Sequence, residues 1–169
     1  MVRDMNDYMA YLLQDKNVIA SWGFTVALAW ILTPVMGFQG FTAMEVMYMW
    51  TALMLIPVTM TAAMWYRGNS NKLFNFWAVV VTVIMAENFL VPDQFLLYSY
   101  FHLWFVAAAA GFYFTSERLP PPSEKTYRYA AYASALALPV VFIQPLAAPL
   151  LAVPLQGAPM IYDWFTVHR

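Results

Sequence analysis

Cysteine is absent from the chain. That excludes disulfides, thiolate metal sites and a cysteine nucleophile, and it leaves the redox compartment unreadable. Charge is scarce. Only 10% of the 169 residues are Asp, Glu, Lys or Arg, against about 25% in an average soluble domain. The net charge is −1, with no basic block and no acidic tail, so nothing points to nucleic acid. Histidine occurs twice, at His102 and His168. Two such residues, one of them penultimate, do not make a bis-histidine haem site in an apolar bundle. Zinc catalysis usually needs three protein ligands, so no metal site is expected. GxGxxG, P-loop and GxSxG motifs are all missing, and no cofactor is indicated.

Apolar residues are what the chain has instead. They make up 63% of it, with 7 Trp, 11 Tyr and 13 Phe. A soluble fold of this size has too little interior to hide them, and a bilayer is the natural solvent. The length suits one domain. The expected fold is therefore an all-α, polytopic integral membrane helical bundle of about five transmembrane helices. Helices are expected because a lone spanning strand would leave its backbone groups unpaired in lipid.

Residues 1–17, MVRDMNDYMAYLLQDKN, lack the apolar core and small-residue cleavage site of a signal peptide. Val2, Met5, Tyr8, Met9, Leu12 and Leu13 recur at helical spacing. They predict an amphipathic helix, cytoplasmic or lying in the membrane interface. A single transmembrane domain is expected over 18–169. A span needs ~20 mostly apolar residues, and candidates fall at 18–38, 43–66, 73–91, 95–115 and 127–160.

The fifth candidate contains Pro139, Pro145, Pro149, Pro154 and Pro159. Each interior proline removes a backbone donor and crowds the preceding turn. A straight helix over 127–160 would also be ~50 Å long, too long for a bilayer. A break is expected near Gln144–Pro145, followed by a short helix or a re-entrant piece. Five full spans would put Asp163 and Arg169 outside, and a re-entrant piece would bring them back inside. Asp163 itself, in MIYDWFTVHR, reads as part of an interfacial tail.

Orientation follows from the loops. Arg3, Lys16, Arg67, Lys72, Arg118, Lys125 and Arg128 all fall on one side of the expected topology. By the positive-inside rule that side is cytoplasmic, with loops 67–72 and 116–128 and the amino terminus. The turns at 39–42 and 92–94 then face the exoplasm.

Ionisable groups within spans usually face the interior of the bundle. Glu45, Glu87, Asp93 and His102 all belong to the exoplasmic half, with Asp93 as ordinary turn chemistry. Glu87 lies ~9 Å and His102 ~12 Å below the 92–94 turn, on neighbouring antiparallel helices. A carboxylate–imidazole pair is feasible between them, and as an acid–base pair they are the candidate catalytic residues. Asn88 adjoins Glu87, and Tyr98 stands one turn from His102. Trp50, Tyr48, Trp30 and Trp104 are placed to wall the same region. The candidate ligand-binding set is thus Glu45, Trp50, Glu87, Asn88, Tyr98 and His102, around an aromatic cavity with a few convergent polar groups. The twelve methionines read as adaptable packing rather than as a copper site.

Three functions fit. One is a small membrane protein that holds a hydrophobic ligand in that outer-half cavity, or packs as a subunit of a larger membrane complex. Another is an intramembrane enzyme doing acid–base chemistry on a lipid or isoprenoid. The last is a proton or small-solute transport subunit using the broken fifth segment. Catalytic motifs being absent, a non-enzymatic role is favoured. The expected partners are membrane lipids, a hydrophobic ligand, and further copies of the chain or other membrane subunits.

Overall fold

The computed structural model describes residues 15–68, 71–91 and 93–167, without the side chains of 15, 16, 88, 93, 94, 96–99 and 167. The amphipathic helix expected over 1–17 lies outside these residues up to position 14. Positions 15–17 belong to the first long helix.

Five long helices run up and down in chain order. They are α1 Asp15–Phe38, α2 Ala43–Tyr66, α3 Lys72–Asn88, α4 Asp93–Ser116 and α5 Ser123–Ile143. No strand occurs among the described residues. Two helical stretches, Asn17–Phe38 and Ala43–Tyr66, are long and apolar enough to cross a membrane.

Local chemistry sets the boundaries. α1 stops where Gly40 takes φ +84. There the Phe41 N–H reaches back to Met36 O, and the Gly40 N–H to Gly37 O. This is a Schellman stop, which glycine allows without a Cβ penalty. α2 starts at once with a capping box. The Thr42 hydroxyl accepts from the Glu45 N–H at 3.3 Å, and the Glu45 carboxylate accepts from the Thr42 N–H at 2.7 Å. α3 is capped by Asn71, whose side chain accepts from the Leu73 N–H at 2.9 Å. α5 ends at the expected place, with Gln144 as its cap and Pro145 next.

Beyond that break the chain does not stop short or loop back early. A 3-10 turn Pro145–Ala147, a short helix α6 Ala148–Ala152, a π turn Val153–Gly157 and helix α7 Ala158–Val167 follow without interruption. Together they span ~34 Å at 1.5 Å per residue, about as long as α1, and are called here the terminal pass. The direction is fixed by contacts with α1. Gly157 lies against Ala27, and Met160 and Ile161 lie against Gly23, one turn nearer the start of α1. The segment then meets Ser123 and Tyr127 at the start of α5. A short helix or a re-entrant piece was expected after the break; the chain continues there as a bent helical segment that runs back along α1. The prolines bend the last pass without ending it.

The six passes form a closed ring. Each packs on its chain neighbours, and the terminal pass closes against α1. The α4–α5 hairpin is the most extensive contact. The ring has two distinct ends. Arg67, Lys72, Arg118, Lys125 and Arg128 lie at one, here called the basic end, together with the start of α1 and the end of α7. The turns after α1, α3 and α5 form the opposite end, where Glu45 and Glu87 lie.

Candidate functional site

The interior of the ring differs along its length. Toward the opposite end, Trp30, Trp50, Tyr100 and Phe105 have no accessible surface, and Phe101 and Trp104 have almost none. Trp30 and Trp50 meet edge to face with centroids 5.0 Å apart, and Trp50 lies 5.1 Å from both Tyr100 and Trp104. Such contacts add about 0.5–1.5 kcal/mol per pair beyond burial. Two of the indole donors are tied down, whereas Trp104 Nε1 and the Tyr100 hydroxyl are buried without a partner. Trp50 Nε1 donates to Thr33 Oγ1 at 2.9 Å, and Trp30 Nε1 donates to Gln156 Oε1 at 3.1 Å. The rings expected to line a cavity therefore fill the space themselves. Tyr48 is the exception: it faces outward, beside Phe89 at 6.1 Å.

Of the candidate polar residues, Glu45 has a duty of its own. The Glu45 carboxylate is spent on the cap of its own helix, accepting from both the N–H and the hydroxyl of Thr42. His102 is part-buried on α4 and lays its ring on Phe142 of α5, with centroids 4.0 Å apart. Glu87 is part-buried near the end of α3. Both residues are engaged with neighbours, and no ion pair between them is present among the described residues. Asn88 ends α3 and Tyr98 lies within α4, with their side chains outside the described set.

Toward the basic end the ring is less full. A cavity of about 40 Å³ lies between α1, α3, α4, α5 and the terminal pass. Its wall includes Trp22, Phe74, Trp77, Phe112, Tyr127 and Gln156. Gln156 reaches this axial position from the π turn. That turn needs Gly157, because a Cβ there would meet the Ala27 Cβ at 2.7 Å. On the far side, Trp77 packs the rim of its ring against Gly111 and donates to Thr115 Oγ1 at 3.0 Å.

Asp163, expected in an interfacial tail, is instead 2% exposed. Its carboxylate accepts from the Ser123 hydroxyl and, at 3.4 Å, from the Tyr127 hydroxyl. These bonds join the terminal pass to the start of α5. A burial signal was present in the spacing: Gln156, Met160 and Asp163 stand at i, i+4 and i+7, one helical face. Just outside, Arg128 pairs with Glu117 at 2.7 Å and Glu124 at 3.0 Å.

A second, larger space opens at the opposite end. This cleft of about 350 Å³ lies between the end of α1, the start of α2 and the break after α5. Thr33, Pro34, Gly37, Phe38, Val46, Phe101, Leu146 and Pro149 are among its lining residues. None of the lining side chains is charged. Thr33 is the one polar side chain among them, and its hydroxyl is committed to Ala29 O and to Trp50. The irregular backbone around Pro145–Ala147 and Pro149 borders this space through Leu146 and Pro149.

Comparison with known protein families, with curated proteins and with solved structures found no match.

Proposed function

We propose that this chain is a polytopic integral membrane protein that holds a hydrophobic ligand, an acyl or isoprenoid chain, in the cleft at the end of α1. Membrane embedding is supported by the outward faces. Phe24, Leu28, Ile31, Val35 and Phe38 form an exposed stripe down α1. Comparable stripes follow on α2 (Leu55, Ile56), α3 (Val79, Val83) and α5 (Leu136, Val140, Ile143). Helices apolar on all sides belong in a core or a bilayer, and exposed apolar area on this scale is not sustained in water.

The charge distribution supports an orientation. With the terminal pass returning, every described Lys and Arg lies near the basic end. That end is then cytoplasmic, with the start of α1 and the end of α7. The cleft opens in the exoplasmic half.

The observation that carries the ligand reading is the cleft itself. Its volume is in the range of small-molecule sites, about 300–1,000 Å³. Its wall has no charge, and its one hydroxyl is already bonded. Such a wall selects hydrocarbon and offers nothing to a polar head, which would stay at the surface.

Native mass spectrometry from nanodiscs tests this. The expected spectrum shows an apolar molecule retained by the protein. Gly37→Phe is the matched variant, because a Cβ at Gly37 meets nothing within 4 Å. It should fill the cleft and abolish retention while the helical circular dichroism stays unchanged. A ligand-free monomer for the parent chain, or undiminished retention in Gly37→Phe, would remove the cleft as the site.

A further inference from the structure

We propose that the cavity near the basic end is a second binding site, for a small uncharged molecule whose oxygen accepts hydrogen bonds from Gln156 Nε2 and Trp22 Nε1. Gln156 is 2% exposed and Trp22 4% exposed, both form part of the cavity wall, and both nitrogens are buried without a partner. Burying a donor unpaired costs about 1–3 kcal/mol, and a third wall residue, Trp104, buries its Nε1 in the same way, so a fold that keeps three such donors beside one cavity has an acceptor in view.

The chemistry of that acceptor can be read from the donors. An indole N–H only donates, so Trp30 fixes the amide of Gln156 with its oxygen toward Trp30 and its NH₂ elsewhere. Trp22 likewise only donates. The two wall hydroxyls have other duties: Thr115 donates to Gly111 O and accepts from Trp77, and Tyr127 donates to Asp163. The missing acceptor therefore comes from an occupant. No residue of the wall is charged, so an anion would be buried without compensation. A neutral oxygen remains.

Size narrows it further. The cavity, about 40 Å³, exceeds the ~10–15 Å³ that one water needs. It suits a carbonyl or hydroxyl compound of a few heavy atoms, or a small cluster of water. The backbone supports a built site. The π turn and Gly157 serve to bring Gln156 to the axis, and single π turns inside helices are frequent at functional sites.

Acetone labelled with ¹³C at its carbonyl is a suitable probe, titrated into the nanodisc-embedded full chain and followed by NMR. A saturable bound carbonyl signal, shifted downfield of free acetone, is expected. Trp22→Phe should weaken binding about tenfold through loss of one hydrogen bond, and Gln156→Leu should abolish it. Gly37→Phe, at the other cleft, should leave it unchanged, so the two sites stand or fall separately. Water is the other source of the same oxygen. It would give cross-peaks between water and the Trp22 indole proton with no bound carbonyl, which supports the site as a hydration site. A bound signal indifferent to both Trp22→Phe and Gln156→Leu would overturn the proposal. So would a Trp22 indole proton that contacts neither probe nor water.

Discussion

Two halves of one ring, equally rich in aromatic residues, end up differently. In the half with Trp30, Trp50 and Tyr100, rings meet at 5.0–6.2 Å and no accessible surface is left on them. In the half with Trp22, Trp77 and Phe112, a cavity remains. Ring content does not explain this. In the filled half, the two central indoles have acceptors within the protein, Thr33 and Gln156. In the open half, Trp22 and the amide nitrogen of Gln156 do not. Unpaired donors are not confined to the open half, since the Tyr100 hydroxyl and Trp104 Nε1 are also buried without a partner; the open half is set apart because Trp22, Trp104 and Gln156 border a cavity there.

Substitutions can break or sharpen this contrast. Trp30→Ala should have the largest effect, about 3–5 kcal/mol, because it empties the filled half and also leaves Gln156 Oε1 unpaired. Unfolding by denaturing detergent in mixed micelles measures it. Asp163→Ala should follow at about 1–3 kcal/mol, leaving the Ser123 and Tyr127 hydroxyls without their acceptor. Faster protease cleavage within 158–167 would show that the terminal pass has loosened. Gly111→Ala should cost about 1–3 kcal/mol. The new Cβ falls 2.4 Å from the Trp77 ring, so the indole must swing off Thr115, and a shift in tryptophan emission reports it. Trp22→Phe should cost under about 1 kcal/mol, since it removes an unpaired donor along with some packing. A loss as large as that of Trp30→Ala would erase the difference between the halves. The smallest effect concerns Glu87 and His102. Glu87→Gln and His102→Ala should add within about 0.5 kcal/mol in a double-mutant cycle, as groups not joined by an ion pair do.

The helical hairpins were legible because their signals are local. Gly40 marks the stop of α1, and Thr42 with Glu45 spells the capping box that starts α2. The break at Gln144–Pro145 is a property of proline itself. Depth was legible too, since counting residues from a turn places Glu87 and His102 at similar heights. Rotation about the helix axis was not. Whether His102 meets Glu87 or Phe142 depends on how α4 sits between α3 and α5, and a helix apolar on every side carries no pattern that fixes its facing. The return of the terminal pass was hidden for a related reason. Its prolines announce irregularity, but whether a bent segment continues is decided by partners on α1, more than a hundred residues away. Gln156 went unnoticed because an amide among prolines looks like loop chemistry, although its spacing with Asp163 places both on one face.

The closure of the ring by the segment after α5 also sets an order in time. Gly23, Ala27 and Trp30 meet partners near residues 156–161, so that face of α1 waits until those residues have been synthesised. The terminal pass, for its part, carries Gln156 and Asp163 on its inward face, and neither belongs in lipid. Each side of this seam is incomplete without the other. A molecule lacking the segment that carries Gln156 and Asp163 would be left with an open ring rather than a smaller one.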